Sequence, residues 1–302
     1  MSKHLVYLLA FAFYFNLAGC GEAAPPKRVR ELQAAMSRLK PLHTPMGKPR
    51  PGDWLEKHKE SGQTFSQYLR ARPVTPVGRR RVIYLQPIGD FTKPQRKIVK
   101  LTADFLGLWY NRPVKIQDDL PLATIPAAAR RKHPQWGDRQ ILTTYVLNKV
   151  LKPRLPKDAA ASIGLTATDL WPGEGWNFVF GQASLRDRVG VWSIYRNGKA
   201  DGDEAERRLC LVRTLKTAAH ELGHMFTMQH CTAYECNMCG SNGRAESDRR
   251  PLLLCPECLA KTCWATGTDP AKRYRSLIEF CKDNGLKDEQ ALYEKMLAAI
   301  EK

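Results

Sequence analysis

The stretch HELGHMFTMQHC, residues 220–231, places three of the chain's seven histidines within eleven positions, and its reading decides the fold around it. On a helix His220 and His224 stand four residues apart and project from one face about one turn apart. Two imidazoles so placed can reach one metal ion at roughly 2.0–2.1 Å. Glu221 adjoins the first of them and can take a proton from water at the metal without being a ligand. Leu209, Val212, Leu215, Ala219, Leu222 and Met225 supply apolar positions for a helix from Arg207 to Phe226. His230 cannot share that face, so the chain must turn after about Thr227 to swing it in as a third ligand. Three ligands with one open position describe a catalytic zinc. The bland alternative, histidines scattered on an amphipathic helix, is weakened by the third histidine.

Downstream, Cys231 follows His230 directly, then come Cys236, Met238 and the pair Cys255-x-x-Cys258. This order, with the run-up "VIYLQPIGDF…FVFGQASLRDRVGVWSIYR", resembles the archaemetzincins among the metzincin zinc peptidases. The resemblance runs from Val82 to the C-terminal end, about three quarters of the chain. It implies an α/β (α+β) fold: a metzincin-like, mostly parallel, twisted mixed sheet packed with helices, with a Cys-rich, zinc-bound C-terminal part at about 231–302. It implies that His220, His224 and His230 bind a catalytic zinc and that Glu221 is the general base and acid. Met238 would form the hydrophobic turn beneath the metal. Cys231, Cys236, Cys255 and Cys258 would hold a second, structural zinc, so two Zn²⁺ are expected. The activity implied is a zinc-dependent hydrolysis of peptide bonds, endo- or aminopeptidase unresolved. The segment "NFVFGQAS" (Asn177 to Ser184) would be an edge strand that holds peptide substrate. One position departs from the pattern: Thr227 stands where metzincins usually place glycine, which permits the sharp exit from the helix. That departure keeps open a second reading, a chain that retains the fold and binds peptide with weak or no turnover.

Working outward, "RVIYLQPIG" reads as a strand, followed by a helix that Thr92 caps and Pro94 opens. "PVKIQDDLPL" and "AAASIGLTATDLW" read as further strands. Asp138 is expected to open a helix with Leu142, Tyr145, Val146 and Val150 facing inward. "NFVFGQAS" and "VGVWSIYR" read as a hairpin. Strands alternating with helices imply helices packed on a mixed sheet.

The N-terminus reads as an address. Leu5 to Phe15 is an apolar run too short to span a bilayer, and Leu17-Ala18-Gly19-Cys20 resembles a bacterial lipobox. Residues 1–20 are therefore expected to be a signal peptide, with lipidation at Cys20 and a protein exported and anchored to a bacterial membrane. Residues 21–81 are rich in Pro and Lys/Arg and read as a basic linker or arm with little core of its own. Of the chain's net charge of +18, this segment carries half, with 14 Lys/Arg against 5 Asp/Glu. Basic residues do not crowd the Cys255–Cys263 segment, so no nucleic-acid partner is expected. Cys210, Cys239, Cys263 and Cys281 are even in number; bridges and buried thiols both stay open.

Overall fold

The computed structural model describes residues 25–302, so the apolar run Leu5–Phe15 and the expected lipidation site Cys20 lie outside the described residues. The segment expected as a spacer is structured. It forms α1 (Lys27–Leu39), α2 (Trp54–Lys57) and α3 (Phe65–Arg70). In α1, Val29, Leu32 and Leu39 fall on one face and are buried, while Lys27, Arg30 and Arg38 are exposed and Arg28 reaches inward to donate to the Cys263 carbonyl at 3.0 Å. That face packs on helices from the far end of the chain. Thr64 and Gln67 form a capping box that starts α3, which buries Phe65 and Tyr68. The composition of a linker concealed this because the arm borrows the core of the following domain instead of building one.

The sheet begins with β1 (Val82–Ile88). It is followed by α4 (Lys93–Tyr110), which opens on the expected Thr92 cap, completed by Gln95, with Pro94 in its first turn. Next come β2 (Val114–Ile116), β3 (Arg130–Lys132) and β4 (Arg139–Leu142). The helix expected from Asp138 starts only at α5 (Thr143–Tyr145), which runs on as a π-helical stretch, Val146–Leu151. Residues 139–142 instead pair with β3, and with the later β6 (Asp169–Trp171). Backbone pairing, with β3 close by and with β6 about thirty residues on, overrides the local helical periodicity there. The expected single strand "AAASIGLTATDLW" divides into β5 (Ala159–Thr166), wholly buried, and β6, which belongs to a different sheet. The hairpin forms as expected, from β7 (Gly181–Ala183) and β8 (Val189–Ser193), antiparallel. The rest is helical: α6 (Glu204–Met225), α7 (Arg244–Arg249), α8 (Pro256–Thr266), α9 (Pro270–Asp283) and α10 (Lys287–Glu301).

The main sheet has the order β2-β1-β5-β8-β7, parallel except for β7, and the small sheet the order β3-β4-β6. Helices cover both faces of the main sheet, the arrangement that a buried parallel sheet requires. Val189 and Val191 of β8 join Val146, Val150 and Leu151 in one core, whereas Trp192 joins Leu215, Leu222 and Trp109 in the other. α4, α6, α8 and the arm share that larger core. β7, the last strand of the order, lies beside α6. Among the described residues no helix is long and apolar enough to cross a membrane.

Candidate active site

Asp203 and Glu206 cap α6 reciprocally. The helix buries Leu215, Ala218, Ala219, Leu222 and Met225, whereas Leu209 is exposed to solvent. The helix ends as expected, and Thr227 takes a left-handed backbone with φ +66°. For a β-branched residue that conformation costs about 1–2 kcal/mol, which is why glycine is usual at such exits. Its surroundings offset the strain. Thr227 Oγ1 accepts a hydrogen bond from the Val74 amide at 2.9 Å and donates one to the Leu185 carbonyl at 3.1 Å. The turn is thus made with threonine, and His230 arrives beside the other two histidines.

The ligand atoms of His220, His224 and His230 lie within 4.8 Å of one another. His220 Nδ1 donates to the Asn237 carbonyl at 2.8 Å, and His224 Nδ1 donates to the Met228 carbonyl at 2.7 Å. Because a carbonyl only accepts, these bonds put the ring proton on Nδ1 and leave a lone pair on each Nε2. Those two Nε2 atoms face one another at 2.9 Å. Two lone pairs at that distance are held together only by a shared cation, so the donor set fits a metal. Burial lowers both rings, that of His224 to about 4 and that of His220 well below its ordinary value, which keeps them neutral and able to ligate. His230 Nδ1 lies 3.0 Å from both carboxylate oxygens of Glu60, a residue of the arm.

Glu221 is buried, and burial pushes its carboxyl up to about 8. It packs under β7 so closely that a Cβ on Gly181 would lie 2.7 Å from its Cγ and Oε1. Met238 is fully buried, and its Sδ would lie 2.6 Å from a Cβ on Gly223. It therefore packs against the helical turn between the two histidines. A cleft of about 650 Å³ opens over these groups, walled by Asn177–Ala183 on one side and by Ser241, Asn242 and Ser247 on another, with Trp54 of the arm also lining it. β7 is an edge strand, as the resemblance implies, although only Gly181–Ala183 of "NFVFGQAS" is paired as strand.

The sulfurs of Cys231, Cys236, Cys255 and Cys258 also lie within 4.8 Å of one another, all buried. Cys255 stands at the N-cap position of α8 and Cys258 in its first turn, where the helix N-terminus favours negative charge. The Cys255 and Met238 amides reach Cys236 Sγ at 3.3 and 3.5 Å. Hydrogen bonds from the thiols around it, Cys236 first, hold Cys231 far below the ordinary thiol range, while burial and its neighbours hold Cys255 well above it. Four thiolates this close coexist only around a cation, and the set fits a closed tetrahedral site. The Cys231 amide also donates to the Met238 carbonyl at 2.8 Å, so this cluster braces the loop carrying His230. Cys210, Cys239, Cys263 and Cys281 are buried, and among the described residues none is bridged.

The structure thus brings together every histidine and cysteine that the motif picked out for ligation. The motif missed Glu60, Gly181, Gly223 and the Asn237 carbonyl. Gly223 stood within the quoted stretch and Gly181 within the expected edge strand, yet a lone glycine carries no record of what approaches it. Glu60 had no local signal at all.

Comparison with known proteins shows the family of the chain. Residues 148–263 match Peptidase family M54. Human archaemetzincin-2 is 33% identical over 286 residues, covering 84% of this chain and 79% of that protein. The archaemetzincin of Thermococcus kodakarensis is 34% identical over 189 residues, covering 60% of this chain and 95% of that protein. The crystal structure of the Methanopyrus kandleri archaemetzincin superposes with a TM-score of 0.50 at 26% identity, covering 64% of this chain and 99% of the other. The fold is that of a zinc metallopeptidase. The chain belongs to the archaemetzincin family.

Proposed function

We propose that this peptidase holds its catalytic zinc on the Nε2 atoms of His220, His224 and His230 and cleaves peptide bonds with Glu221 as general base and then general acid. The observation that carries this reading is the pair of facing Nε2 lone pairs at 2.9 Å, each with its Nδ1 committed to a backbone carbonyl. Zinc, when bound there, supplies Lewis acidity toward the scissile carbonyl and the attacking water. Glu221, next to the first ligand and shut beneath β7, takes the proton of that water and returns it to the leaving amine. Burial alone raises its carboxyl, and a zinc held by the neighbouring histidines would pull it back toward the carboxylate form that accepts the proton. Peptide substrate lies along the free edge of β7, where unpaired backbone groups of Gly181–Ala183 add a strand to it. Met238 is the packing floor beneath the metal, and Cys231, Cys236, Cys255 and Cys258 hold a second, structural zinc.

The test is metal content together with turnover. The protein should carry two zincs per chain and cleave peptides from a mixed pool. Glu221→Ala should keep both metals and lose cleavage by at least about 10²-fold. Cleavage that survives Glu221→Ala defeats the mechanism, and a chain with no zinc defeats the site.

Export and anchoring belong to the same proposal. Their support is the apolar run Leu5–Phe15 ending just before Leu17-Ala18-Gly19-Cys20. Expressed in a bacterium, the protein should partition into detergent and Cys20→Ser should stay aqueous; equal partitioning of the two removes the anchor.

A further inference from the structure

His220 and His224 are oriented by carbonyls of their own helix exit and of the loop beneath it. Among the described residues His230 has no such backbone partner. Its Nδ1 instead meets both oxygens of Glu60 at 3.0 Å, a contact across 170 residues of sequence. A ring N–H given to a carboxylate fixes the tautomer, points Nε2 at the metal position and raises its basicity. The surrounding contacts show that this is not a chance approach. Gln63 grips the same loop twice, donating from Nε2 to the Thr227 carbonyl at 3.4 Å and accepting at Oε1 from the Gln229 amide at 3.3 Å. The Thr232 hydroxyl donates to the Ser61 carbonyl at 3.4 Å. Gly62, at φ +69°, lies so close that any Cβ would collide with Thr232 Oγ1. Val74 adds the hydrogen bond to the strained Thr227, and Lys261 of α8 holds the Gln63 carbonyl from behind. Trp54 stands edge-on to the His230 ring at 5.2 Å.

We infer that Glu60 is a positioning residue for the third zinc ligand, held in place by an arm segment, residues 60–74, that straps the loop carrying His230. The inference rests on the zinc assignment made above. Its consequence is that the affinity of the histidine site for zinc is set in part outside the motif, by the segment whose composition reads as a linker.

The experiment is a competition of the full chain against a chromophoric chelator for zinc, with the unfolding midpoint of the metal-stripped protein measured alongside. Glu60→Ala should weaken the histidine site by about 10–100-fold, with the metal-free midpoint close to that of the parent. Glu60→Gln has the same shape and keeps one oxygen acceptor without the charge, so it should regain part of the affinity. Glu56→Ala removes another carboxylate of the arm, one exposed beside Lys57, and should bind zinc as the parent does. Parental affinity in Glu60→Ala overturns the inference, as does an equal loss in Glu56→Ala. His230→Ala separates this failure from that of the zinc assignment. If His230→Ala keeps both zincs at parental affinity, the assignment itself falls. If it loses one while Glu60→Ala loses none, only the role of Glu60 falls.

Discussion

Replacing Gly181 by alanine should displace Glu221, the proposed proton carrier, while leaving the histidine cluster intact. A Cβ at this position would stand 2.7 Å from Cγ and Oε1 of Glu221 and 2.8 Å from Cδ, whereas ordinary contact begins at 3.4 Å. Glu221 must therefore retreat by about 0.7 Å, the difference between these two distances. The backbone has little room to take up the shift, because His220 and His224 on either side are anchored through Nδ1 and β7 is paired to β8. A displacement of about 1 Å at a reacting group costs on the order of 10²-fold in rate. The expected loss in kcat/KM is thus between about ten- and a hundredfold, or about 1.4–2.7 kcal/mol in the barrier. The assay is cleavage of a defined peptide that the parent hydrolyses, with zinc content measured on the same preparations. Parental kcat/KM in Gly181→Ala, with zinc retained, would show that Glu221 does not work from where it sits under β7. Loss of zinc along with activity would place the damage in the ligands instead.

At Thr227 the strain and the hydrogen bonds act in opposite directions. Thr227→Gly should change the unfolding free energy by no more than about 1 kcal/mol, since relief of about 1–2 kcal/mol of left-handed strain accompanies the loss of two hydrogen bonds worth roughly 1 kcal/mol each. Thr227→Ala keeps most of the strain and loses both bonds, so it should be destabilised by about 2 kcal/mol. A more stable Thr227→Ala in denaturant titration refutes that account. In the zinc-stripped protein, burial raises the Glu221 carboxyl from 4.5 to about 8. Between those values the unfolded chain has already lost this proton while the folded one keeps it, so its contribution to stability falls as pH rises. Glu221→Gln should therefore gain stability over the parent from pH 5 toward pH 8 in urea titrations. A difference that does not change with pH would count against the burial of this group.

Much of the site was legible in the sequence because its parts are local. An offset of four on a helix fixes the relation of His220 to His224, and a ligand spacing such as Cys255-x-x-Cys258 is set by the backbone alone. The capping of α4 by Thr92 and the β7–β8 hairpin were legible for the same reason. Where local periodicity competed with strand pairing, it failed: Leu142, Tyr145, Val146 and Val150 share a helical spacing, yet β3 and β6 draw residues 139–142 into a sheet. The arm failed for a related reason. Val29, Leu32 and Leu39 are too few to form a core alone, and what covers them lies more than two hundred residues away.

By itself, then, the sequence determined which residues can ligate, which carboxylate can carry a proton, and the class of fold that presents them, because each follows from side-chain chemistry and short-range backbone geometry. Only the tertiary structure decided how threonine could occupy a glycine's turn, what presses on Glu221, and which carboxylate meets His230. Those are contacts between segments separated by 40 to 170 residues, and such contacts exist only once the whole chain has packed.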